Sequence, residues 1–191
     1  MPLLTEQELR TAARRTVANL NKSAPVILRE HVETSATKFD IFLSHSIKDA
    51  EIVLGARSVL RKRFKLSVYV DWIVDPQMKR GDVTPATAAV LRRRMKQCKA
   101  LFYLKTVNSV DSTWMPWELG YFDALRSRVA ILPVVKDVQD EYDGNEYLGL
   151  YPYVDVTPNK ENETTMWVTR SPKKYARFVD WLDGAKIPKR S

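Results

Sequence analysis

Four apolar runs punctuate the chain between residues 39 and 135. They are Phe39-Asp40-Ile41-Phe42-Leu43-Ser44, Leu66-Ser67-Val68-Tyr69-Val70, Ala100-Leu101-Phe102-Tyr103-Leu104 and Val129-Ala130-Ile131-Leu132-Pro133-Val134-Val135. Each is short and almost unbroken in β-forming residues, the pattern of a strand covered on both faces. Between them apolar positions recur at helical spacing. Ile52, Val53, Ala56, Val59 and Leu60 form one inner face, with Ser46 and Asp49 placed to cap it. Thr84 and Pro85 cap and start a second helix, with Ala88, Leu91, Met95 and Cys98 inward. Residues 111–125 begin a third: Asp111 or Ser112 can cap it, and Pro116 falls near the first turn, where a missing N–H costs little. After an acidic, irregular stretch at 136–162 that holds a short strand at Tyr153-Val154-Asp155-Val156, Ser171 and Pro172 are predicted to open a last helix. Tyr175, Phe178, Val179 and Leu182 would share its inner face. Strands alternating with helices predict an α/β fold: a flavodoxin-like parallel sheet of about five strands with helices on both faces.

The first 37 residues read differently. Thr5 and Glu8 make a capping-box pattern, and Leu9, Ala13, Val17 and Leu20 form a stripe. Val26-Ile27-Leu28 and Val32 continue as a second short helix, and residues 34–37 are a small-residue linker. The expected organisation is a helical extension at 1–37 and the main domain at 38–191. The stripe can pack on that domain or on a partner.

Composition narrows the classes. The chain has 191 residues, 45% hydrophobic and 28% charged, which are globular values. No apolar run approaches a membrane span, and no secretory signal opens the chain. A single cysteine, Cys98, excludes an internal disulfide or a cysteine metal cluster and fits a reducing cytosol, so a cytoplasmic protein is expected. The net charge of +8 permits an anionic partner. The basic clusters at Arg61-Lys62-Arg63 and Arg92-Arg93-Arg94 fall on outer helical faces, and no nucleic-acid-binding motif accompanies them. Neither nucleic acid nor membrane is expected as a partner.

In open α/β sheets, ligands bind beyond the carboxyl ends of the strands. Ser44-His45-Ser46, Asp71-Trp72 and the loop before Trp114 all follow strand ends and should meet at one rim. There Glu118 stands among Trp114, Trp117, Tyr121 and Phe122, with Trp114, Glu118 and Phe122 on one helical face. Taken alone, a carboxylate beside an aromatic stripe reads as a surface group next to core. Ser46 reads as a cap, Asp71 as a turn residue, and Lys79 and Arg80 as solvated loop charges.

Three motifs change that reading. Residues 39–46, Val68-Tyr69-Val70-Asp71-Trp72 and Trp114-Met115-Pro116-Trp117-Glu118-Leu119-Gly120 resemble, in order and spacing, the signatures of Toll/interleukin receptor (TIR) domains in the form common in bacterial members. The resemblance covers roughly residues 38–183 and extends to the NAD-cleaving TIR proteins of Thoeris-like antiphage defence. It departs after Asp71, where Asp75-Pro76 and Arg80-Gly81-Asp82 replace the receptor loop pattern. It implies cleavage of NAD+ at the nicotinamide–ribose bond to an ADP-ribose-type signal, linear or cyclic, with Glu118 as the catalytic carboxylate. NAD+ is then the substrate, and no metal or further cofactor is expected. Ser44, Ser46, Lys48, Asp71, Trp72 and Trp114 are the expected substrate-binding residues: serines for ribose or phosphate, Lys48 for the pyrophosphate, tryptophans for stacking. The family also implies homo-oligomers through TIR–TIR contacts and a separate effector that senses the product. Two alternatives remain at this point: a non-enzymatic interaction scaffold, and a nucleoside deoxyribosyltransferase with the same alternation and a catalytic glutamate.

Overall fold

A computed structural model describes residues 3–30, 38–71, 84–144 and 146–187. In chain order its elements are β1 (Leu4–Thr5), α1 (Glu6–Leu20), α2 (Ala24–Glu30), β2 (Phe39–Ser44), α3 (Ala50–Phe64), β3 (Val68–Val70), α4 (Pro85–Lys96), β4 (Cys98–Lys105), α5 (Trp114–Arg126), β5 (Val129–Val135), β6 (Tyr153–Pro158), β7 (Thr164–Ser171), β8 (Lys174–Arg177) and α6 (Phe178–Leu182). The sheet runs β3-β2-β4-β5-β6-β7-β8, and its first five members are parallel. Those five have the flavodoxin order expected from the alternation. The sheet is larger than expected: β7 and β8 extend it antiparallel, and β1 pairs with β5.

Side chains of each parallel strand divide between two cores. Ile41, Leu43, Phe102 and Leu104 join Leu9, Ile27, Leu54, Phe178 and Trp181 on one face. Phe42, Leu101, Tyr103 and Ile131 join Leu91, Met95, Met115, Leu119 and Phe122 on the other. Helices α1, α2, α3 and α6 therefore cover one side, and α4 and α5 the other. The N-terminal stripe packs on the domain, since Leu9 and Ala13 are buried against α3. Thr5 caps α1 as its pattern predicts, accepting from Glu8 N at 3.1 Å. Among the described residues no helix is long and apolar enough to cross a membrane.

One prediction fails. Ser171 and Pro172 do not open a helix; they turn β7 into β8, and only Phe178–Leu182 is helical. Along β7, Thr165 and Trp167 are partly exposed and Met166 and Val168 are buried, an alternation of period two over 165–168 that outranks the helical reading of Tyr175 and Phe178. A smaller difference is that Cys98 begins β4 rather than ending the preceding helix. It is buried, and its thiol is pushed up to about 12, chiefly by burial.

Asp40 ties the start of β2 to the turn before β3. Ser67 N (2.9 Å) and Ser67 Oγ (2.7 Å) donate to its Oδ2, and Lys99 Nζ lies 2.9 Å from Oδ1. Burial alone would raise its pKa, but these donors outweigh it and lower the pKa below the ordinary 3.8. A depressed carboxylate contributes stability that is present above its unfolded pKa and is lost as pH falls through the folded one. Asp40→Asn should therefore be less stable by about 1 kcal/mol at pH 7, a loss of about 2–4 °C in Tm. Calorimetry across pH should show the gap closing below pH ~4.

Candidate active site

Strand parity aims the site. Ser44 follows Phe42 by two residues, so it faces α5, and in register beside it stands Tyr103 of β4, on the same face. Facing them is Glu118, one turn inside α5. Ser44 Oγ donates to Glu118 Oε2 at 2.6 Å, and both residues are buried. A bond this short to an ionised acceptor is of the strong class, about 1.5–3 kcal/mol. It fixes the carboxylate head group before any ligand arrives.

Tyr103 has its hydroxyl between the side chains of Tyr147 and Ser109. Burial first, then Tyr147 and the charge of Glu118, push its pKa upward, so it stays a neutral hydrogen-bonding group. In the sequence it reads only as one residue of the third strand. The available signal was position: it shares a register rung and a face with Ser44. His45 is buried, with Nδ1 2.9 Å from Leu43 O.

Local sequence explains why α5 begins where it does. Ser112 Oγ accepts from Met115 N at 3.4 Å, and Pro116 sits in the first turn, where its missing N–H is no loss. Trp114, first residue of the helix, is half-buried and borders two clefts. A smaller one, about 180 Å³, is lined by Ser46, Ile47, Lys48, Asp111, Ser112, Thr113 and Trp114. A larger, mostly apolar one of about 450 Å³ is lined by Thr84, Pro85, Ala88, Arg92, Thr113, Trp114 and Trp117. Trp117 meets Trp114 edge-on at 5.5 Å and stacks on Tyr121 at 5.7 Å, with the Arg92 guanidinium 5.5 Å from its ring. That ladder packs α5 against α4, and Trp114 stands one helical turn before Glu118.

The remaining expected residues are distributed as follows. Ser46 lines the smaller cleft and its Oγ accepts from Lys48 N at 3.4 Å, a cap as well as a wall. Lys48 pairs with Asp111 at 2.7 Å, with both side chains more than half exposed. Such a pair contributes about 0–1 kcal/mol, so an incoming phosphate can take the lysine from Asp111 at little cost. Asp71 is half-buried just past β3 and contributes, after burial, to raising the pKa of Tyr69. Trp72, Lys79, Arg80 and the 34–37 linker lie outside the described residues. The geometry thus brings Ser44, Tyr103 and Glu118 together, with Ser46, Lys48 and Trp114 at the adjoining cleft.

Because Ser44 holds one oxygen of the Glu118 carboxylate, Ser44→Ala should lower any activity that depends on that carboxylate by about tenfold. Losing a buried bond of that strength should also lower Tm by about 3–12 °C, and initial-rate assays beside a thermal melt would check both.

No family model matches the chain. It is 43% identical over 191 residues to a protein of Bacillus cereus (strain MSX-D12) named "Probable 3' cyclic ADP-D-ribose synthase ThsB'", the match covering 95% of this chain and 98% of that protein. It is 29% identical over 150 residues to the "Putative cyclic ADP-D-ribose synthase TIR2" of Cytobacillus dafuensis, covering 76% of this chain and 36% of that one.

Proposed function

The chain belongs to the TIR family that contains these cyclic ADP-D-ribose synthases, and on that footing we propose that it cleaves NAD+ between nicotinamide and ribose and closes the ADP-ribosyl product into a cyclic signal. The observation that carries this is the buried Glu118 carboxylate held by Ser44 at the rim of a parallel sheet.

The chemistry asks little of the protein beyond placement. When the glycosidic C–N bond breaks, its electron pair goes to the pyridinium ring, and nicotinamide leaves neutral without a general acid. The ribosyl carbon becomes oxocarbenium-like, as in glycoside hydrolysis. A fixed carboxylate opposite it stabilises that charge and can hold a ribose hydroxyl. An internal ribose hydroxyl then forms the new bond and loses its proton to solvent, or an adenine ring nitrogen attacks with its lone pair and the cationic adenine loses a proton from its 6-amino group to solvent; either way the ring closes. Water attack at the same carbon gives linear ADP-ribose. Trp114 serves as the stacking wall that keeps water away, Lys48 and Ser46 receive the pyrophosphate, and Asp71 and Trp72 complete the substrate contacts. No metal or cofactor besides the substrate takes part.

The same reading places the protein in the bacterial cytosol as an antiphage signal producer, with a separate effector that senses the product. It also works as an assembly of copies. Ile47, Val107 and Val110 are exposed apolar residues on the two loops at the rim, a surface suited to a second copy.

Incubating purified protein with NAD+, following nicotinamide release and resolving the products by mass spectrometry tests the reading. Cyclic ADP-ribose is the expected product. No release at any protein concentration would overturn it in favour of the scaffold. Base release from deoxynucleosides with NAD+ ignored would point to the deoxyribosyltransferase.

A further inference from the structure

Glu118 is only as well placed as the loop that feeds α5. That loop, residues 106–113, is anchored by one residue of the facing loop. Thr106 Oγ1 donates to Asp49 Oδ2 at 2.6 Å, and Asn108 Nδ2 donates to Asp49 Oδ1 at 2.6 Å. Ser109 Oγ closes the turn onto Thr106 O at 2.8 Å. Asp49 is itself 4% exposed and lies five residues beyond Ser44 in the loop that leaves β2. It occupies the N-cap position of α3, where the sequence pattern assigns it a capping role, yet its side chain makes no cap bond. Both of its oxygens cross to the other loop instead.

We infer that Asp49 is a positioning residue for the NAD+ cleavage proposed above: it fixes the loop before α5 against the loop after β2 and thereby sets the approach of Glu118 to Ser44. The two loops carry the two halves of the site, Ser44 and Ser46 on one, the start of the Glu118 helix on the other. A second contact between them, Lys48 to Asp111, is more than half exposed at both ends and is weakly held. Buried, charge-assisted bonds are the ones that hold geometry, and a head group displaced by about 1 Å can lose on the order of a hundredfold in rate.

The inference rests on the NAD+ reading, and the experiment separates the two. Steady-state kcat and KM for NAD+, Tm, and amide hydrogen exchange over residues 106–118 are measured for wild type, Asp49→Ala, Asp49→Asn and Asn108→Ala. Asp49→Ala should lose about ten- to hundredfold in kcat with KM held within about threefold. Asp49→Asn keeps an oxygen for one of the two donors and should recover part of that loss. Asn108→Ala removes one of the two bonds and should fall between, and adding it to Asp49→Ala should cost little more, since the bond of Asn108 is already lost there. Exchange should quicken at 106–118 and not in the strands. A wild-type kcat in Asp49→Ala, or a loss that follows Tm with no recovery in Asp49→Asn, overturns the inference. If Asp49→Ala does not fold, Asn108→Ala decides it by the same kcat criterion. If wild type itself releases no nicotinamide, the NAD+ reading fails. The exchange data then decide the latch alone: quickening confined to 106–118 supports it, and unchanged protection overturns it.

Discussion

Replacing Glu118 with Gln is expected to reduce NAD+ cleavage by about 10³ while leaving Tm within about 2–4 °C of wild type. The magnitude follows from charge. Two unit charges about 4 Å apart attract by about 4 kcal/mol at the effective dielectric of such sites, and about 1.4 kcal/mol is a factor of ten in rate. Part of this attraction is already present in bound NAD+, whose pyridinium ring is cationic, and that part is lost as a higher KM. The remainder appears as charge moves onto the ribose and is lost from kcat, so kcat/KM carries the whole effect. Gln keeps the shape of the side chain, and its carbonyl oxygen can still accept from Ser44 Oγ, which occupies 2.6 Å of that contact now. Fold and charge are therefore separated in one variant. Nicotinamide release measured over a range of NAD+ concentrations checks the prediction, and undiminished turnover would remove Glu118 from the chemistry.

The Ser44–Glu118 meeting was legible because it follows from topology alone. A parallel strand ends at the rim, and the helix after another strand begins there, so a motif at each place must converge. The same rule could not reveal Tyr103 or Asp49. Tyr103 belongs to an apolar run in which every position is buried, so composition hides which face each residue takes. Asp49 satisfies a helix-start pattern, and only coordinates show that its oxygens go elsewhere. Pro172 misled for a related reason. Proline after serine marks both a helix start and a tight turn, and the choice rests on the strand before it, where Trp167 donates to Thr157 O and packs on Tyr175. Lys48 lines a cleft with Ser46 and Trp114, but its resting partner Asp111 belongs to another loop, which sequence proximity does not reveal.

The other large effect concerns the N-terminal helix, whose stripe left two homes open. Gly55 of α3 faces Leu9 of α1 so closely that a Cβ there would fall within the Leu9 carbonyl, with Leu9 Cα at 2.9 Å. The obstacle is backbone, which cannot rotate away as a side chain can. Gly55→Ala should therefore destabilise by about 3 kcal/mol and lower Tm by about 6–12 °C. Its sign makes it diagnostic. On a free helical face the same substitution would stabilise by about 1 kcal/mol through helix propensity. Destabilisation thus means that α1 is seated on α3 in solution, where Leu9 is wholly buried and its packing contributes about 1.5–3 kcal/mol. Calorimetry gives the sign, and limited proteolysis gives the place: cleavage within residues 3–30 should accelerate in the variant before cleavage of the sheet does. A stabilised Gly55→Ala protein would mean that α1 leaves α3 and that its apolar stripe is available to a partner.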